Sequence, residues 1–202
     1  MSTVLTKSKE RPILFSGPMV WAIFEGRKTV TRRPPIGKTE LKIVDETYSH
    51  YIRNRRGTWD SYKTLNELVE RHCPYGKPGD VLWVRETWQD DGREFRYRAT
   101  DFEDQAGYIR PLVTKWKPSI FMPYAACRLK LRVTDVRVER LKQIAAAQCI
   151  AEGIEIERDI NTACGEIEAF EKFQTLWDSI NERRGYAFDL NPYVWVVEFE
   201  CI

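Results

Sequence analysis

Apolar and polar positions along the chain alternate in two rhythms, and the changes between them mark the predicted elements. The longest two-residue rhythm is "CRLKLRVTDVRVERL". There Leu129, Leu131, Val133 and Val136 mark the buried face of a strand, with cations opposite. "GDVLWVRETW" predicts a second strand after a Gly-Asp turn, with Val81, Trp83 and Arg85 set against Leu82, Val84 and Glu86. "EFRYRAT" follows as its antiparallel partner, "YVWVVEFECI" reads as a further strand, and Ile13–Phe15 as a short one. The helical rhythm is clearest in "GEIEAFEKFQTLWDSIN", where Ile167, Phe170, Phe173, Leu176, Trp177 and Ile180 recur at three- and four-residue steps. Shorter helices are predicted for "MVWAIFEG", led by Pro18 and ended by Gly26, and for the alanine-rich "LKQIAAAQCIAEG", ended by Gly153. Another is predicted for "DSYKTLNELVERHC", on the modest stripe of Leu65, Leu68 and Val69.

Strands outnumber helices and are interrupted by them irregularly. This favours an α+β class with a curved or barrel-like sheet over a parallel βαβ stack. No Gly-rich phosphate loop follows a strand, so a nucleotide-cofactor domain has no support. At 202 residues the chain suits a single domain, 1–202, around one core. Within it Pro34–Gly79 reads as an insertion and a candidate flap, with a basic patch at Arg53, Arg55 and Arg56.

Composition narrows the class further. Hydrophobic residues are 43% and charged ones 31%, a globular rather than a disordered balance. No apolar run approaches the roughly 20 residues that span a bilayer, and the polar start "MSTVLTKSKERP" has no signal-peptide pattern. The five cysteines are widely spaced without a CxxC, and His50 and His72 are the only histidines. Neither a zinc site nor a disulfide framework is expected, and a reducing cytoplasm is the simplest location. The net charge of +2 conceals an asymmetry: residues 1–63 carry 13 Lys and Arg against 6 Asp and Glu, and 139–202 carry 6 against 13. One cationic face for an anion, or mutual neutralisation of the two ends across the fold, would each account for it.

Candidate chemistry begins at "EGRKTVTRR", where the cations cluster between a helix end and a strand. A lysine amine is a poor base at its ordinary pKa near 10.4. Desolvation and the neighbouring cations Arg27, Arg32 and Arg33 would bring Lys28 toward neutrality, able to take the proton of the Thr31 hydroxyl. In a straight strand, positions three apart face opposite ways. The pair therefore needs the chain to kink just past Gly26; otherwise Lys28 is solvated and Thr31 an ordinary strand residue. Glu152 in "CIAEGI" is either a general acid or base that orients the lysine, or a surface carboxylate. Glu86 is an ion-pair member or a base-reading acceptor, and Trp88, Trp116 and Arg128 are candidate stacking and phosphate contacts.

Taken together and in this order, "GRKTVTRR", "CPYGKPGDVLWVRETW", "KWKPSIFMP", "IAEGI", "LWDSIN" and "NPYVWVVEF" resemble the ASCH domain family of the PUA-like superfamily, in its bacterial and prophage-borne form. The resemblance spans about Pro12 to Phe199. It implies a mixed β-barrel flanked by helices, with a central cleft for a nucleoside or single-stranded RNA and no metal or cofactor. Small bacterial relatives are amidohydrolases that deacetylate N4-acetylcytidine. By motif, their lysine falls on Lys28, their threonine on Thr31, their arginine on Arg33 and their glutamate on Glu152. Lys28 would then be the base, Glu152 the proton relay, and Arg33 would steady the oxyanion, with Arg32 beside it in the substrate site. Other relatives bind or cleave RNA, which leaves a non-catalytic RNA-binding module and a metal-independent ribonuclease as alternatives. Prophage-type relatives often carry a histidine where Phe121 stands, and its absence here disfavours the nuclease.

Overall fold

A computed structural model of the chain describes residues 8–35, 40–45, 49–53, 56–101 and 115–202. Its elements are β1 (Glu10–Leu14), α1 (Gly17–Phe24), β2 (Val30–Arg33), β3 (Glu40–Asp45), β4 (Ser49–Arg53), β5 (Trp59–Tyr62) and α2 (Leu65–His72). They continue with β6 (Val81–Arg85), β7 (Trp88–Asp90), β8 (Phe95–Tyr97), β9 (Lys130–Arg140), α3 (Ala146–Ala151), α4 (Ala163–Asn181) and β10 (Tyr193–Cys201).

Five strands form the central sheet in the order β1-β6-β9-β10-β2, with β1 parallel to β6 and the remaining pairs antiparallel. The arrangement is α+β, as the strand and helix pattern predicts. Among the described residues the recorded pairings end on β1 and β2 and do not close a barrel. The long apolar run of β10 has a direct cause, because both its faces are covered. Trp195, Val197 and Phe199 join one cluster with Val20 and Ile23 of α1 and Leu68 and Val69 of α2. Val194 and Val196 join a second with Cys149 of α3 and Ala169, Phe173 and Trp177 of α4.

The odd step from Val133 to Val136 in the sequence marks a bulge. Glu198 pairs with Asp135 and Phe199 with Val133, so Thr134 is the extra residue. The buried face changes phase there, and Val133, Val136 and Val138 all stay inside.

Three expectations shift. In α4 the buried line is Gly165, Ala169, Phe173, Trp177 and Asn181, a four-residue ridge, while Ile167 and Ile180 are 54% and 52% exposed. Small residues lead this ridge because the chain crosses it closely: a Cβ on Gly165 would stand 1.9 Å from the Asp159 carbonyl oxygen. The alanine-rich helix is shorter than expected, because Leu141–Gln143 forms a separate 3-10 turn ahead of α3. The insertion forms the antiparallel sheet β3-β4-β5 followed by α2. Its Ile52, Leu68, Val69 and Cys73 share a cluster with Ile13, Leu82 and Trp195, so it packs into the main core rather than hanging from it. Arg55 of the basic patch lies outside the described residues. Among them no helix is long and apolar enough to cross a membrane.

Candidate active site

The kink that the Lys28–Thr31 pairing requires is present, and its cause is local. Glu25 ends α1 in a helical conformation and Gly26 turns at φ +74°, a left-handed value that suits glycine. The next residues are pinned from three sides. Lys28 N–H donates to the Ala22 carbonyl at 3.0 Å, Thr29 N–H to Ala151 at 2.9 Å, and Phe199 N–H to the Thr29 carbonyl at 2.9 Å. Lys28 therefore leaves this loop before β2 begins, and the alternation of a straight strand does not apply to it.

Glu152 arrives from the other end of the chain. It caps α3 in a helical conformation, and Gly153 follows at φ +94°. A Cβ on Gly153 would meet Ala22 Cβ at 3.0 Å and Lys28 Cβ at 3.3 Å, so the glycine is what lets the two segments approach.

Between them lies a buried ionic network. Lys28 Nζ donates to Glu152 Oε2 at 2.9 Å, to the Glu152 carbonyl at 2.6 Å and to the Val30 carbonyl at 2.9 Å. Three acceptors match the three protons of an ammonium. Arg32 reaches Glu152 Oε1 through Nη1 at 3.4 Å, and its Nη2 donates to Gln148 Oε1 at 2.7 Å and Glu139 Oε2 at 3.2 Å. Lys28, Thr31, Arg32 and Glu152 are all at most 5% exposed. Burial lowers the Lys28 pKa from its ordinary value; Glu152 opposes this, and Arg33 and Arg32 add to it. Arg27, expected among those cations, acts elsewhere. It pairs with Glu25 and donates to the Gly153 carbonyl at 3.0 Å, tying α1 to the end of α3.

The network forms one wall of a cavity of about 670 Å³, lined by Lys28, Thr31, Arg32, Arg33 and Glu152 from the predicted set. Arg33 donates to the Leu14 carbonyl at 2.7 Å, and its guanidinium lies 5.0 Å from the Phe15 ring centre. The Lys28 ammonium approaches the same ring at 5.4 Å. The Arg32 side chain is fully enclosed and holds Glu152 through Nη1.

The remaining predicted contacts do not line this cavity. Glu86 lies on the buried face that also holds Leu82 and Val84, and it forms a two-pronged pair with Arg128, at 2.8 Å for each hydrogen bond. Trp88 packs against Met122, Ala126 and Phe95 in a third apolar cluster. Trp116 is half-buried on the strand-like segment whose next residue, Lys117, bridges to Trp88.

Sequence reasoning missed Phe15, Tyr75, Trp177, Asn181 and Arg184, all of which line the cavity. One signal was present: Asn181 continues the buried four-residue ridge of α4, where a polar residue needs a reason. No family model, curated protein or solved structure matches the chain.

Proposed function

We propose that the chain is an amidohydrolase that deacylates a modified nucleobase of the N4-acetylcytidine type, on an ASCH-like, PUA-related fold whose sheet is read as an opened barrel. The observation that carries this reading is the Lys28 Nζ–Glu152 Oε2 contact of 2.9 Å, in the wall of a cavity that also presents Thr31. The two partners are 124 residues apart in sequence. A buried lysine with a depressed pKa on a carboxylate, in a cavity that a threonine hydroxyl also lines, supplies the groups that amide hydrolysis uses.

In the reaction, neutral Lys28 takes the proton from the Thr31 hydroxyl as its oxygen adds to the amide carbonyl carbon. The ammonium that results is stabilised by its three acceptors. A proton passes through Glu152 to the departing exocyclic amine, the C–N bond breaks, and water then hydrolyses the acyl ester to release the acid and regenerate Thr31. Arg32 keeps the Glu152 carboxylate in place. The test is release of cytidine from N4-acetylcytidine by the purified protein. Thr31→Val removes the hydroxyl at similar volume and is expected to lower turnover at least about hundredfold. Undiminished turnover in that variant overturns the role of Thr31. Absence of turnover, with RNA binding that weakens steeply with salt, would favour the non-catalytic RNA-binding module.

A further inference from the structure

The charges lining the cavity do not balance. Four cations (Lys28, Arg32, Arg33 and Arg184) face one carboxylate, Glu152. Lys28 and Arg32 are accounted for, since Glu152 meets both and Glu139 takes a second arm of Arg32. Arg33 and Arg184 are different: among the described residues neither is paired with a carboxylate. Each is held by a neutral oxygen, Arg33 on the Leu14 carbonyl and Arg184 on Asn181 Oδ1 at 3.2 Å. Burial is the main cause of the lowered Arg33 pKa; Tyr75 and Glu152 oppose it, and Arg184 adds to it, so the two guanidiniums are close enough to repel. Tyr75 lies within electrostatic reach of both cations; burial raises its pKa and keeps the phenol a proton donor.

Neither guanidinium has a paired carboxylate; Arg33 is half-buried and Arg184 is exposed, and their combined charge on one cavity lining fits a dianion. A phosphate monoester carries about −1.5 to −2 at pH 7 and offers oxygens that arginine binds in pairs. The rest of the lining is mostly apolar, with Phe15, Phe173 and Trp177 among small polar residues such as Ser16 and Ser119, and a volume near 670 Å³ suits one small molecule. Arg33 follows Thr31 by two positions on β2, which places the anchor about 7 Å along the strand from the proposed nucleophile.

We propose that the cavity takes a nucleoside phosphate monoester, with Arg33, Arg184 and the Tyr75 hydroxyl holding the phosphate and Thr31 facing the acylated base. The identity of the base rests on the amidohydrolase reading above; the anion subsite does not. Arg33 thereby serves phosphate rather than the oxyanion.

The experiment compares binding of cytidine, cytidine 5′-monophosphate and a short 5′-phosphorylated oligoribonucleotide to the full chain by calorimetry. It then compares hydrolysis of N4-acetylcytidine with and without a 5′-phosphate. Each charge-assisted contact corresponds to about tenfold or more in affinity, so the monophosphate is expected to bind at least about tenfold more tightly than cytidine. Arg184→Gln is expected to shrink that ratio to within about threefold, and Arg184→Lys to restore part of it. Equal affinities for cytidine and its monophosphate, no binding of either, or a ratio untouched by Arg184→Gln overturns the proposal. An oligonucleotide bound as well as the mononucleotide places the same monoester at an RNA end. A phosphate preference without hydrolysis of either acetylated compound retains the subsite and rejects the amidohydrolase.

Discussion

The Lys28–Glu152 and Arg128–Glu86 pairs are both ion pairs on a buried carboxylate, yet only the first borders the cavity. In the second, Arg128 grips both Glu86 oxygens, donates a third hydrogen bond to Thr100 Oγ1 at 2.9 Å, and lies 3.9 Å from the Tyr97 ring centre. A guanidinium does not surrender its proton under ordinary conditions. This pair is a clamp between the end of β6 and the approach to β9. In the first, the cation is an amine whose pKa burial pulls down, and the cavity it borders is also lined by Thr31. Charge pairing is common to the two. What separates them is whether the cation can change protonation state, and whether a ligand-sized space adjoins it.

The largest effects test that contrast directly. Lys28→Met is expected to lower deacylation about 10²–10⁴-fold. Its stability loss should be moderate, because Arg32 still accompanies Glu152. Glu86→Gln is expected to do the reverse, costing about 3 kcal/mol in urea denaturation, since a charged guanidinium loses its buried partner. Turnover by the folded fraction should then fall only a few-fold. Equal losses of activity in the two variants would erase the distinction.

A smaller effect sharpens it. Gly153→Ala places a methyl group 3.0 Å from Ala22 Cβ in a backbone region that disfavours side chains. A stability cost of about 2 kcal/mol is expected. Because the displaced segment carries Glu152, turnover should fall as well, in contrast to Glu86→Gln. Normal activity in a destabilised Gly153→Ala protein would show that the Lys28–Glu152 geometry does not matter for rate.

The smallest effect is in pH. The folded-state pKa of Lys28 lies below its ordinary 10.5. Between those two values the unfolded chain binds the extra proton, so stability rises with pH across that window, by at most about 1.4 kcal/mol per unit. Wild-type stability relative to Lys28→Met should therefore improve as pH approaches 10.5, and turnover should climb along the same limb as the amine is freed. A difference in stability that is flat with pH would mean that Lys28 is not depressed.

Much of this was legible in the chain and some was not. Lys28 and Thr31 stood out because one short segment holds both, and Gly26 announced the turn that precedes them. The buried face of β9 followed from alternation, but the phase change at Thr134 was recognised as a bulge only from the pairing with β10. The strands β3 and β4 did not stand out, since short, mixed-polarity segments lack a clear period. Glu86 and Arg128 looked like ligand contacts because a charge amid aromatics has the same local sequence whether it is sealed in a pair or open to a substrate. Trp88 was ambiguous for the same reason, and only packing against Met122 and Phe95 assigns it to the core.

By itself, then, the sequence determined the periodicities, the turns at Gly26 and Gly153, and the local chemistry of "GRKTVTRR", all of which depend on neighbours a few residues apart. Only the tertiary structure decided which carboxylate meets which cation, and which cations are left without one. Glu152 reaches Lys28, and Arg184 reaches the neighbourhood of Arg33, across long stretches of chain. The strength of an ionic interaction depends on the distance between the charges and on how far they are buried, and neither is recorded by spacing along the chain.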